Sequence, residues 1–329
     1  MLISTNYEFR LHIPSNAVDD VLLLQGILDN SEHDFLKDKL GQTLYERLCY
    51  FYAKADKTDF CTRVAEGLYT ENPWETLLLN AQRMVANDAM ARYAYQQILS
   101  VNGAGVNMAG SSDYTPADGK ILDKGVAGFR KEAMVSLNNL LLLLENWSVA
   151  AGNFAYLEQL SEQMREGITS IVELWKESKY YFLHGDLLIP SCSVLQQYID
   201  LYDNRDRFIR LIPDLRFIQD EYIEDAFGAD FVARMLTATD RDRMLRKVRR
   251  LMVAHLEERT RVLDIDAARR RVAHDEAVSL KASLLALLQK EQQAEQPEIP
   301  ATQTAPESSS DGFCNGQPGS RIFVPPLLY

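Results

Sequence analysis

Two stretches of the chain carry the same order of apolar and polar positions. Residues 21–48, VLLLQGILDNSEHDFLKDKLGQTLYERL, and residues 208–235, FIRLIPDLRFIQDEYIEDAFGADFVARM, align at a displacement of 187. Leu24 then meets Leu211, Leu28 meets Leu215, Phe35 meets Tyr222 and Leu36 meets Ile223. Asp38, Leu40, Gly41, Leu44 and Arg47 meet Asp225, Phe227, Gly228, Phe231 and Arg234. The apolar positions keep helical spacing, which predicts one buried face. A single Gly follows the last apolar residue, where helices commonly stop in the left-handed conformation. A second amphipathic segment begins at once, with Leu44 and Leu48 inward. Each stretch therefore reads as helix, glycine turn, helix, and such self-similarity sets the architecture of a chain.

The likeness extends outward. Thr5 and Glu8 form the signature of a capping box at the start of a short helix. That helix runs through Phe9 and Leu11 and should end near Ile13, because Pro14 disfavours helix in the residue before it. Leu188-Ile189-Pro190-Ser191 opens the second stretch in the same manner, leading into Val194, Leu195 and Ile199 at a displacement of 186. Pro73 introduces a long helix predicted over Trp74–Ser100, with Leu77, Leu78, Ala81, Met84, Val85, Ala91 and Ala94 inward. Phe60, Val64 and Leu68 fit a small helix in the otherwise polar 56–72. Helix returns over 126–147, and Val135–Leu144 matches Val278–Leu287 at a displacement of 143. The smaller displacement implies that the second copy lacks the 56–72 segment and the glycine-rich loop 101–125. Between the copies, Phe154, Leu157, Leu160, Met164, Ile168, Ile171, Val172 and Trp175 predict one connecting helix over 154–177. Residues 179–189 read as a strand or an apolar lead-in. The expected fold is all-α: two tandem helical bundles related by internal duplication, 1–150 and 188–293, joined by 151–187. Residues 294–329, rich in Pro, Ser, Thr and Glu, cannot bury enough apolar surface to fold alone. This expected disordered tail ends RIFVPPLLY, and Phe323, Leu327, Leu328 and Tyr329 are candidate partner contacts.

Charge sharpens the picture. The chain of 329 residues has a net charge of −12, which argues against binding DNA or membrane through its whole surface. Yet residues 241–271 hold eleven Lys or Arg against five acids, about +6, so the remainder carries about −18. This stretch is either a solvated helix face meeting acidic neighbours or a contact with nucleic acid. It contains no aromatic residue. Arg246, Arg249 and Arg250 are its candidate contact residues.

The residues that carry chemistry are scattered. Cys49, Cys61, Cys192 and Cys314 share no short spacing, which disfavours zinc and redox motifs and suits a reducing interior. No His-Glu-x-x-His is present, and His33-Asp34 and His274-Asp275-Glu276 make weak ligand pairs. The glycines of 101–125 precede no Gly-Lys-Ser/Thr, so phosphate binding is not expected there. No Gly-x-Ser-x-Gly elbow occurs. The expectation is a non-enzymatic protein without a cofactor or metal. No signal peptide is expected, since the N-terminal residues lack a basic region before an apolar run. No apolar run spans a bilayer.

In order, the chain shows Leu2-Ile3-Ser4 with a short helix, Leu40-Gly41 before Leu44-Tyr45-x-x-Leu48, an Ala-rich long helix, Gly105-Val106 in a loop, and the Leu-rich 137–144. This order resembles the helical head–tail connector proteins (adaptor or head-completion proteins) of tailed phages and prophages, and more closely an uncharacterised phage-like family of that type. The resemblance covers roughly 1–150, and the repeat extends it to about 188–290. It implies a virion structural protein that assembles in the cytoplasm by self-association, contacting portal and tail components beside packaged DNA. On that model the basic helix meets an acidic neighbour or lines a DNA channel. Two copies in one chain depart from the simple pattern and put a standard ring stoichiometry in doubt.

Overall fold

The computed structural model describes residues 1–13, 20–96, 99–102, 105–108, 119–183 and 185–295. Residues Met1–Lys281 form one compact unit and Ala282–Tyr329 a second. The chain is all-α in class. The departure among the described residues is a short antiparallel hairpin, β1 (Leu99–Asn102) and β2 (Gly105–Met108). It takes up the predicted end of the long helix and the start of the glycine-rich loop.

The N-terminal helix α1 (Asn6–His12) starts as the sequence requires. The Thr5 hydroxyl accepts from the Glu8 amide, and the Glu8 carboxylate accepts from the Thr5 amide at 3.0 Å. It ends at Ile13. A 3-10 turn at Val21–Leu24 leads into α2 (Gln25–Ser31), followed by a π-helical turn, Glu32–Lys37, and a last short turn α3 (Asp38–Leu40). After Gly41 comes α4 (Gln42–Lys54), then α5 (Lys57–Glu66), capped by Asp56. The long helix α6 spans Pro73–Gln96 and packs extensively against α7 (Gly119–Ala151). Leu77, Leu78, Ala81, Met84 and Val85 of α6 and Leu137, Leu140, Leu141 and Leu144 of α7 are all nearly or fully buried.

The second half repeats the opening of the first. Leu188 and Ile189 are buried like Leu2 and Ile3. The short α10 (Cys192–Leu195) is followed by α11 (Arg205–Ile218), a π-helical turn Gln219–Glu224, and α12 (Asp225–Phe227). After Gly228 come α13 (Ala229–Thr237), α14 (Arg243–Arg259) and α15 (Ala267–Glu295). The two π turns stand at the displacement of 187. A π turn is rare and inserts one extra residue per turn, so its recurrence at matched positions is specific. It lets the adjacent apolar pair divide in the same way twice. Leu36 and Ile223 are fully buried, whereas Phe35 and Tyr222 stay at the rim.

The glycines end their helices differently from the expected left-handed cap. Gly41 takes φ 81°, ψ 160° and Gly228 φ 87°, ψ 156°. This extended, mirror-image region is open essentially to Gly alone. It redirects the chain so that the next helix begins immediately, with no intervening loop. At Gly41 a Cβ would also lie 2.8 Å from Cβ of Ser178, whereas at Gly228 nothing stands within 4 Å.

Two further expectations change. The connecting helix is broken into α8 (Phe154–Leu157) and α9 (Glu162–Lys176), because the Ser161 hydroxyl caps a new start by accepting from the Met164 amide. Phe154, expected inward, is exposed. Residues 179–183 and 185–189 form turns and irregular backbone, with Phe182, Leu187, Leu188 and Ile189 buried. Rings of Trp175, Phe182 and Phe208 contact edge to face at 5.4 and 5.9 Å, which ties α9 to α11 through this lead-in. The halves also differ. Whereas α6 and α7 pack along each other, α14 is joined to the start of α15 by Arg269 to Glu257 and by His274 Nδ1 to Glu258 Oε1 at 2.9 Å. The expected tail over 294–329 begins inside α15, which runs to Glu295; the rest of it, with the contact residues Phe323, Leu327, Leu328 and Tyr329, lies outside the described residues.

Candidate functional site

A repeated polar anchor sits where each half begins. Glu32 opens the first π turn, is fully buried, and accepts from the Leu2 amide at 2.6 Å and the Tyr45 hydroxyl at 2.7 Å. The Leu2 carbonyl accepts from Gln82 Nε2 of α6 at 2.6 Å. In the second half Gln219 opens the π turn; its Oε1 accepts from the Leu188 amide at 2.8 Å and its Nε2 donates to the Asp186 carbonyl at 2.7 Å. The Leu188 carbonyl accepts from Arg249 Nε of α14 at 2.7 Å. Burying irregular backbone requires partners for its amides and carbonyls, and both halves supply them from the π turn and a later long helix.

This geometry assigns Arg249 a part in the fold. It is 5% exposed, and its second bond runs to Asp240 at 2.7 Å. Arg246 and Arg250, predicted with it, are exposed on the opposite side of α14 from Leu245, Val248 and Met252. Several other cations of 241–271 also have partners. Arg259 lies 3.7 Å from the Phe217 ring centroid and 3.9 Å from Asp214, and Arg270 donates to the Thr260 carbonyl at 3.3 Å. Arg243, Arg246 and Arg250, three and four residues apart, form one exposed stripe without an ion-pair partner among the described residues.

Buried charge elsewhere connects the halves. Arg205 at the start of α11 is 2% exposed and donates from Nε to Glu145 of α7 at 2.7 Å; the other Glu145 oxygen accepts from Ser193 at 3.0 Å. Lys39 pairs with Asp206, lies 4.1 Å from the Tyr180 ring centroid, and its carbonyl accepts from Trp175 Nε1 at 3.1 Å. A third polar cluster surrounds Glu8, which accepts from the amides of Ser4 and Thr5 and from the Tyr52 hydroxyl at 2.8 Å. Burial, with the Glu8 carboxylate nearby, raises the Tyr52 pKa well above that of a free phenol. Apart from the Thr5–Glu8 cap, sequence pattern marked none of these pairs, since their members lie far apart in the chain.

The remaining titratable groups are also placed. Burial lowers the His12 pKa to about 4, its bond to Gln82 opposing and Arg83 adding to the effect. His255 stacks on Tyr222 with centroids 4.3 Å apart, and burial lowers its pKa. Burial raises Cys61 to about 11 and Cys192 to about 12. His33 is exposed, and its neighbour Asp34 pairs with Arg92 at 2.9 Å. Among the described residues no three His, Cys, Asp or Glu side chains gather as metal ligands would, and no helix is long and apolar enough to cross a membrane.

Two surface clefts stand out. One of about 330 Å³ lies between α7 and the turn Tyr202–Asn204, where Tyr202 and Asp203 both take φ 54°. The other, about 640 Å³, lies between α9 and the start of α6 and is lined by Phe51, Asn72, Trp74, Glu162, Glu166 and Ser170.

The fold and these surfaces define an all-α protein whose buried charges are engaged in holding its two halves. Compared with protein-family models, curated proteins and solved structures, the chain finds no match in any of the three.

Proposed function

We propose that this chain is a structural protein that works by assembling with copies of itself and with other proteins, in the manner of a phage or prophage head–tail connector. The observation that carries this reading is the Arg243–Arg246–Arg250 stripe, an exposed cationic face on a chain whose net charge is −12. Such a face costs self-repulsion within its own helix and is relieved by an acidic partner. The rest of the reading follows the resemblance of residues 1–150. On it the two halves descend from one duplicated unit. The matched π turns, the Gly41 and Gly228 conformations, and the anchors at Leu2 and Leu188 support that descent. The protein would act in the cytoplasm while a particle assembles and remain in the virion. Its contacts would be portal and tail components, with residues 101–125 and the C-terminal residues as further contact segments.

Sedimentation of the full chain across concentration tests the reading. Reversible association, weakened by salt, is expected. A single-copy species at every concentration in low salt would remove it. The same stripe favours a second reading, binding of packaged DNA by α14. That reading predicts salt-dependent affinity for duplex DNA that falls in Arg246→Glu/Arg250→Glu, with Arg249 left in place for its part in the fold.

A further inference from the structure

The cleft beside α9 combines aromatic and acidic lining residues. Its floor is aromatic: Phe51 and Trp74 stack with centroids 6.0 Å apart and both are half-buried. Its rim is acidic: Glu162 and Glu166, one turn apart on α9, are exposed and have no ion-pair partner among the described residues. Gly167 brings α9 close to the start of α6, where an added Cβ would lie 2.9 Å from Pro73 Cγ. Carboxylates and aromatic rings lining one cleft suit arginine, which donates charge-assisted hydrogen bonds to the first and stacks its planar cation on the second.

Residues that match this demand lie on the same chain. Arg246 and Arg250 are also one turn apart on a helix, so each pair spans about 6 Å along its axis. Like charges at this spacing destabilise an isolated helix, and both helices carry them. No ion pair joins the two faces within one copy among the described residues. We propose that the α14 face of one copy, through Arg246 and Arg250, docks on the α9 cleft of a second copy, through Glu162, Glu166 and Trp74. The inference rests on the assembly reading and deepens it by naming the surfaces. Charge complementarity selects this occupant: the cleft is acidic and repels nucleic acid, and residues 241–271 offer no aromatic side chain for a base to stack on. Because the two faces differ, the contact is head-to-tail. Repeated, it makes a ring if the rotation closes and a filament if it does not.

The test is a charge swap on the full chain, read by sedimentation at low and high salt, with circular dichroism checking that the exposed substitutions leave the helices intact. Arg246→Glu/Arg250→Glu and Glu162→Arg/Glu166→Arg should each weaken association by about tenfold or more. The chain carrying all four substitutions should recover it, since the pairs are restored with reversed sign. Wild-type association that neither reversal changes would overturn this interface while leaving the assembly reading standing. So would a fourfold variant as weak as its parents. A wild-type chain that never associates removes both. If the arginine reversal abolishes binding of a short DNA duplex and leaves association unchanged, the α14 face belongs to nucleic acid and the proposal fails.

Discussion

Removing one member of the Arg205–Glu145 pair should be among the most damaging single changes to this fold. The guanidinium is 2% exposed and its partner 5%, so neither charge can turn to water when the other is lost. Arg205 donates to Glu145 at 2.7 Å, to the Asp203 carbonyl at 3.3 Å and to Asn138 Oδ1 at 3.5 Å. Leaving a buried charge without its counter-charge costs about 3–5 kcal/mol. Arg205→Met strands Glu145 with only the Ser193 hydroxyl, and Glu145→Leu leaves Arg205 with neutral acceptors and the exposed Asp203 carboxylate at 3.9 Å. Each should therefore lower stability by about that amount, a shift of roughly 1 M or more in the urea midpoint. The double variant Arg205→Met/Glu145→Leu removes both desolvation costs and fills the space with apolar atoms. It should be within about 1–2 kcal/mol of wild type, which requires strong non-additivity in the double-mutant cycle. Urea unfolding followed by circular dichroism and by tryptophan fluorescence reports the midpoints. Trp175 is fully buried near the junction of the halves, and coincident transitions would license the free-energy comparison. Additive losses, or single variants within about 1 kcal/mol of wild type, would refute the view that this pair is a desolvated link between α7 and α11.

Other consequences follow from particular residues. Gly228→Ala should cost about 1–3 kcal/mol from its backbone conformation alone. Gly41→Ala should cost more, because the new Cβ also strikes Ser178; urea titrations of the two variants would rank them. For His12, the folded pKa of about 4 lies below the unfolded value near 6.5, so the unfolded chain binds a proton that the folded chain refuses. Its contribution is intact above pH ~6.5 and is lost as pH falls towards 4, by up to about 3 kcal/mol. Wild type should lose correspondingly more stability over that range than His12→Gln. In the native state a thiol reagent at pH 8 should spare Cys61 and Cys192, whose pKa values burial raises, and modify both once urea unfolds the chain. A Cys49→Ser/Cys314→Ser background isolates them, and rapid native labelling of either would contradict their placement.

The plan of the fold was legible where local chemistry decides it. Thr5 and Glu8 announced their cap, Pro73 its helix, and the paired glycines the points where each half turns. What pattern could not show depends on partners distant in the chain. Arg249 sits in a basic run and reads as one more surface cation. Only the Leu188 carbonyl, sixty-one residues earlier, and Asp240 draw it inside. The π turns follow from the same anchors, because Glu32 and Gln219 must reach back to the amides of Leu2 and Leu188. Phe154 kept helical step with the residues after it, but the Ser161 cap starts a new helix and leaves that ring in solvent. The α9 cleft was hidden for a further reason: its acids lie on α9, while its aromatic lining comes from α4 and the start of α6.

Sedimentation equilibrium of the intact wild-type chain, at low and then high salt, addresses the assembly claim most directly. A mass of several copies is expected, shifting toward a single 37.4 kDa chain as salt screens the charged faces. A mass fixed at one chain at every concentration in low salt would contradict it.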